Sequence, residues 1–401
     1  LIDPRSEAAL RGQVRQGERL GAYGGRWRTL HAEVLTRLVQ RGAKVVVFDF
    51  QFERFRDGLG QLRPATPLEQ AGTEALASAI LKARSAGTTV VIAAGAKQAS
   101  GELDTHPSIR DALAQAPSQT MAASGSVASP CIAFAEHGLA VFLPLLIVHP
   151  QQPHQPSLAL AALAGHWNLG NPVIDRAAGT LYLAEGGRQR AVQFAGMGRT
   201  VTGPEGCSTF VRGDVPAYQI VDVSRQELAR ANPAVIPFEH LLGTGAGARL
   251  DGKIVMVGAD LRGSLDTRAD AHRVLVCDAT PWSCSMRERS GLDLHVDALN
   301  SLLTRRGTRP IGAWAQLPIM LLFTFAAAWL RLRNRDAPAW QRRGVLALLV
   351  MLDLALVSFA AIKLGVLMDE AYHLLAMVGA HLFVGRVDPP QAERSLRQNV
   401  V

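Results

Sequence analysis

The sequence predicts an α/β fold, with a mostly parallel sheet flanked by helices in an extracytoplasmic domain, followed by a three-helix transmembrane region. Three observations carry this. Helical stretches ending at glycine run straight into short apolar segments, AKVVVFDF at residues 43–50 and TTVVIAAG at 88–95. Segments apolar on both faces suit parallel strands covered by crossover helices. A third such segment, LDGKIVMVGAD, occupies residues 250–260. Past residue 310 the character changes, and residues 311–330 carry no charge; about 20 apolar residues suffice for a helix to cross a bilayer.

In order, residues 27–41 (WRTLHAEVLTRLVQR) place Leu30, Val34, Leu35 and Leu38 at helical spacing, and Gly42 ends that helix. The strand at 43–50 follows. Residues 51–68, polar and holding Pro64 and Pro67, read as a loop. A helix at 69–86 stops at Gly87 and leads into the strand at 88–95. Residues 96–157 are weakly patterned and rich in Ala, Pro and His. A helix is expected at 157–165, short strands at 181–184, 191–194 and 210–211, and a helical turn at 237–242. The strand at 250–260 enters through a turn at Asp251-Gly252. Residues 292–303 (LDLHVDALNSLL) form an amphipathic helix just before the first membrane segment. Residues 1–310 are thus one outer domain.

Spans are expected at 311–330, 344–368 and 370–387, with a tail at 388–401. The loop RLRNRDAPAWQRRG holds Arg331, Arg333, Arg335, Arg342 and Arg343 against Asp336 alone. The positive-inside rule makes it cytoplasmic and puts residues 1–310 on the other side of a bacterial inner membrane, in the periplasm. An export signal or membrane helix upstream of Leu1 is then expected.

Composition narrows the function classes. Of 401 residues, 48% are hydrophobic and 19% charged, which excludes a disordered chain or a coiled coil. The net charge of +8 is spread thinly, without a basic run interleaved with aromatics, so nucleic acid is not an expected partner. The expected partners are the lipid bilayer and a protein or membrane complex, and the sequence is compatible with an oligomer.

The motifs are sparse. Asp49 ends the strand VVVFDF as a phosphatase nucleophile would, but Gln51 stands where the second acid belongs. Without that acid, Asp49 reads as a residue that caps its loop or hydrogen-bonds its own backbone. VGADLRGSLD, at 257–266, has glycines after a strand but is neither of the phosphate-binding fingerprints. Asp266 and Arg268 are candidates to line a ligand site with Asp49 at the strand ends. Paired action of Asp49 and Asp266 as acids is the enzymatic alternative, and no other catalytic constellation is visible, so no enzyme is expected. Of the four cysteines, Cys277 and Cys284 bracket a turn and are expected to form a disulfide, with Cys131 and Cys207 as the remaining pair. Adding His272 and His295 would make a metal set, but the spacing exceeds that of a zinc knuckle. No metal or cofactor is expected. Asp353, His373 and His381 are polar residues within membrane segments, where ionisable groups need partners.

Three segments resemble the CHASE2 sensory domain of bacterial membrane receptors: RWRTLHAEVLTRLVQRGAKVVVFDFQF, LDGKIVMVGADLRGSLD, and GLDLHVDALNSLL leading into the membrane. The resemblance runs from about Arg26 to Val387 and implies an extracytoplasmic sensory domain followed by three helices. In that family the helices lead to a cytoplasmic kinase or cyclase. Residues 388–401 are too few for one, so the expected role is a sensory or scaffolding subunit acting through a separate partner chain. A purely structural accessory subunit of a membrane complex is the alternative. Residues 96–156 lack the family's D-x-D-G-like stretch.

Overall fold

The computed structural model describes residues 25–57, 59, 61–94, 105–115, 126–128, 133–134, 140–149, 152–170, 172–175, 180–192, 217–220, 235–242, 249–258, 271–277, 284–305, 309–360, 366–368 and 370–387. The chain divides into two units, Leu1–Gly307 and Thr308–Val401.

The first unit is built on a four-stranded, all-parallel sheet in the order β11-β1-β2-β3. Its strands are β1 (Val45–Gln51), β2 (Thr89–Ala93), β3 (Ser126–Ala128) and β11 (Ile254–Val257). Alternate residues of β1 face opposite layers. Val46 and Phe48 meet α1 (Gly25–Gln40) and α2 (Pro67–Ser85), with α3 (Pro107–Ala114) and α5 (Phe238–Leu242) in the same layer. Val45 and Val47 face α4 (Leu158–Trp167) and α6 (Gly291–Thr304). Two buried faces explain why these strands read as unbroken apolar runs. Each fully buried Val or Leu contributes roughly 1.5–3 kcal/mol, and truncating Leu35, which has no solvent contact, to Ala would cost about 2–5 kcal/mol.

Local signals set the boundaries. α1 ends at Gly42, whose φ of +87° is in the left-handed region, and a Cβ there would overlap the Asp251 carboxylate. Helix α2 starts with a capping box, in which Thr66 and Glu69 satisfy each other's backbone N–H groups. Arg63 pairs with Glu69 at 2.6 Å. Buried Arg84 donates to the Ala112 and Leu113 carbonyls at 2.7 and 2.6 Å, closing the end of α3.

Segment 96–157, weakly patterned in the sequence, carries more order than expected. It contains α3, β3, β4 (Ala133–Phe134), β5 (Ala140–His149) and β6 (Gln152–Pro156). β5 is the hub of an antiparallel sheet, β10 (Ala217–Ile220) on one side and β4 on the other, with β6 also paired to it. Pro144 splits the apolar run of β5, and a register shift at Ala217/Tyr218 accompanies it. A meander of β7 (Pro172–Asp175), β8 (Thr180–Glu185) and β9 (Arg188–Val192) matches two of the expected short strands; the third, at 210–211, lies outside the described residues. The hairpin of β12 (Ala271–Cys277) and β13 (Cys284–Ser290) runs directly into α6.

The second unit consists of α7 (Ala313–Arg333), α8 (Ala339–Phe359) and α9 (Glu370–Val387). Among the described residues one helix is long and apolar enough to cross a membrane, Trp314–Arg333, with mean hydropathy 1.5. The second expected span, 344–368, is not one helix: α8 begins earlier, at Ala339, and ends at Phe359. Beyond it, β15 (Val366–Leu367) pairs in parallel with β14 (Arg309–Pro310).

Candidate functional site

Helix α1 sets a polar cluster inside an aromatic shell. Trp27, Leu30, His31, Val34, Leu35 and Leu38 share its inner face, and the i, i+4 step brings Trp27 and His31 together. His31 has no solvent exposure. Its ring lies 4.7 Å from that of Phe50, 5.6 Å from Phe48, 5.5 Å from Phe52 and 5.7 Å from Phe238. Neither ring nitrogen has a hydrogen-bond partner. Burial, and then the nearby Arg28 cation, depress its pKa to about 3, so the imidazole is neutral at physiological pH.

Arg28 is buried beside it. Its guanidinium donates to Thr73 Oγ1 at 2.7 Å and to the Glu53 carbonyl, and lies 4.2 Å from the Phe55 ring centroid. Burial lowers its pKa to about 10 against the opposing pull of Glu69 and Glu53, leaving it charged. Sequence inspection overlooked Arg28 and His31, although both sit in the helical stripe that revealed α1.

This cluster lies against the carboxyl end of β1, where open parallel sheets bind ligands. Asp49 is there, half-buried and engaged with neighbours. Gln155, buried on β6, donates from Nε2 to the Ala94 carbonyl at the end of β2 at 3.0 Å. Its Oε1 is buried with no partner. Asp266 and Arg268 lie outside the described residues, so the structure neither joins them to Asp49 nor separates them.

The exit from the sheet is tightly built. Gly258 follows β11, and a Cβ there would stand 2.9 Å from both terminal methyls of Leu292 on α6. Ser290 caps α6 by accepting from Asp293 N at 3.2 Å. Buried Leu292, Leu294, His295, Ala298, Leu299 and Leu302 fix that helix. Leu292 of α6 thus packs directly against the backbone at the carboxyl end of β11.

The register of the hairpin opposes Cys277 to Cys284. The side chains of Cys277 and Cys284 lie outside what the structure describes, and no disulfide occurs among the described side chains. Cys131 and Cys207 lie outside the described residues. His272 and His295 are buried and have interactions of their own, and no group of His, Cys, Asp or Glu able to hold a metal occurs among the described residues.

In the second unit, Asp353 of α8 and His373 of α9 meet, Oδ1 to Nδ1 at 3.2 Å, with side-chain exposures of 0% and 1%. His381 does not join them; it is half-buried further along α9. Of the three polar residues singled out in the sequence, Asp353 and His373 thus form one link between helices, and His381 stands apart from it.

The sequence matches the CHASE2 domain model over residues 6–331. The chain belongs to the CHASE2 family. The match takes in the parallel sheet, the α1 cluster, the β11–α6 junction and nearly all of α7. CHASE2 is an extracytoplasmic sensory domain, which assigns the first unit's side of the membrane and its general role. No curated protein and no solved structure matches the chain.

Proposed function

We propose that this CHASE2 chain is a multi-pass inner-membrane sensory subunit that passes an envelope signal to a separate cytoplasmic partner, with no catalysis of its own. The observation that carries the reading is the junction of β11 and α6, on the side of the sheet where a ligand would bind. A signal there moves Gly258 against Leu292, and α6 conveys the shift to α7.

Three passes are supported by where the aromatic and apolar residues lie. α8 and α9 expose Leu348, Met351, Leu352, Phe359, Leu375, Leu382 and Phe383, as α7 exposes Leu321, Leu322 and Phe325. With the Arg-rich loop inside, exposed Trp314 and Tyr372 fall near the outer helix ends, and Trp329 and Trp340 near the inner ends. Aromatic residues at both interfaces are typical of spanning helices.

The same distribution favours a sensor over a structural subunit. Large exposed apolar side chains crowd the helical unit, whereas those described in the first unit, such as Leu59, Leu62, Val173 and Val235, are few. A lobe used only for assembly would need an apolar docking patch. The disulfide Cys277–Cys284 belongs to this reading. Opposed residues of an antiparallel pair have Cα atoms about 4.5–5.5 Å apart, within the disulfide range, and the periplasm is oxidising.

Affinity purification of the tagged chain from native membranes tests the proposal. A stoichiometric cytoplasmic signalling protein is the expected companion. A chain recovered alone under gentle detergent would contradict it.

A further inference from the structure

The helices of the second unit carry their positive charge at one end. Arg331 and Arg333 close α7, Arg335 follows it, Arg342 and Arg343 lie near the start of α8, and Arg386 stands at the end of α9. The connection from α7 to α8 holds Asp336 as its one acid. Residues 388–401 add Asp388 and Glu393 against Arg394 and Arg397. The opposite ends are balanced in sequence, with Arg309 and Lys363 against Asp369 and Glu370.

The fold ties the arginines into one rim. Arg331 reaches from α7 onto α9, and its Nη2 would stand 2.8 Å from a Cβ added at Gly385, the residue before Arg386. Arg342 of α8 donates from Nη1 to the Arg335 carbonyl, just past the end of α7, at 3.2 Å. Arg333 lies 5.4 Å from the Trp329 ring centroid. Among the described residues a single ion pair touches the set, Arg335 Nε to Asp336 Oδ2 at 3.5 Å, and both of its side chains are exposed. Arg333, Arg343 and Arg386 are exposed, and Arg331 and Arg342 are half-buried. Cations gathered at one rim repel each other, and an anion held among them relieves that repulsion.

The setting of the rim selects the anion. Residues 334–338 alone join α7 to α8, and exposed Trp329 and Trp340 flank the connection. Such aromatic residues sit at headgroup level in spanning helices. So short a connection keeps the arginines at that depth, among lipid phosphates and out of easy reach of a globular acidic partner.

We infer that the joined ends of α7, α8 and α9 form a binding rim for the headgroups of anionic phospholipids in the inner leaflet, centred on Arg331, Arg342 and Arg386. This rests on the three-pass reading above. Guanidinium groups from different helices donate paired hydrogen bonds to the phosphodiester oxygens. A lipid held in this way bridges the helix ends, so the rim is a site and not only a charged loop.

The test is native mass spectrometry of the full chain in a neutral detergent, titrated with phosphatidylglycerol or with phosphatidylcholine of the same acyl chains. Retention of phosphatidylglycerol well above phosphatidylcholine is expected. Each arginine near an anionic surface is worth about fivefold in affinity, so Arg331→Gln with Arg342→Gln should weaken phosphatidylglycerol binding roughly 25-fold. Arg110→Gln, an exposed position on α3, removes the same kind of charge and should change nothing. Equal retention of the two lipids would overturn the inference, as would a double variant that binds like wild type or an Arg110→Gln chain that loses as much. Displacement of the lipid by inorganic phosphate would assign the rim to a free anion, and displacement by an equimolar polyglutamate peptide would assign it to an acidic protein; either result overturns the lipid site. Spin labels on genetically encoded ketone side chains at Leu352 and Leu382, both exposed, read the three-pass proposal separately in vesicles through lipid-soluble oxygen and a water-soluble nickel complex. Labels that meet water sink that reading, whereas labels in lipid beside unaltered variant binding sink the rim alone.

Discussion

His31 offers a measurable consequence of the polar cluster inside the CHASE2 lobe. The folded lobe holds its imidazole at a pKa of about 3, against 6.5 for an ordinary histidine. A depressed histidine favours folding in full above the unfolded pKa, and that advantage erodes as pH falls from 6.5 towards 3. Each pH unit is worth about 1.4 kcal/mol, so acidification from neutrality to pH ~4.5 should remove roughly 2.7 kcal/mol through this one group. His106 and His166 are also depressed, chiefly by burial, and steepen the total slope. The difference between wild type and His31→Leu isolates the single residue. Leucine has nearly the same volume and needs no partners, so at pH 7 the variant should be as stable as wild type or more so, because two unpartnered nitrogens disappear. Thermal or urea unfolding in detergent, followed by tryptophan fluorescence, reads it, since Trp27 lies 6.1 Å from His31. An acid slope unchanged by the substitution, or a loss of several kcal/mol at pH 7, would refute the reasoning.

Three further outcomes are expected. Gly42→Ala should lower the urea midpoint by an amount equivalent to more than about 1–2 kcal/mol, because the left-handed backbone and the Asp251 carboxylate both oppose a Cβ there. Gly258→Ala should cost about 1–3 kcal/mol by displacing Leu292, and hydrogen exchange should report faster opening along α6 but not α2. Chain recovered from an oxidising compartment should yield a Cys277–Cys284 linked peptide by mass spectrometry, and Cys284→Ser should lose roughly 2 kcal/mol for the short loop it closes; a free thiol at both positions would count against the bond.

Legibility in the sequence followed burial. β1, β2 and β11 were readable because each is covered on both faces, which forces long runs of Val, Ile and Phe. Helices α1 and α6 were readable because each buries one stripe. β5 was not, since Pro144 interrupts it and its β10 partners are 71 to 78 residues away, a pairing that leaves no local periodicity. Asp353 and His373 were visible as misplaced polar residues, but their meeting depends on the crossing of α8 with α9, which no spacing within either helix encodes. Arg28 and His31 were passed over for the opposite reason: on an apolar stripe they resemble solvent-facing punctuation, and only the surrounding Phe48, Phe50, Phe52 and Phe238 show them to be interior.

Orientation in the bilayer decides between this account and its competitors. The most direct measurement is protease treatment of spheroplasts, with antibodies to the lobe and to an epitope placed between Arg335 and Arg342. Digestion of the lobe in intact spheroplasts, with the Arg-rich loop cut only after lysis, is the predicted pattern. A lobe protected until lysis, beside a loop cleaved from outside, would contradict it.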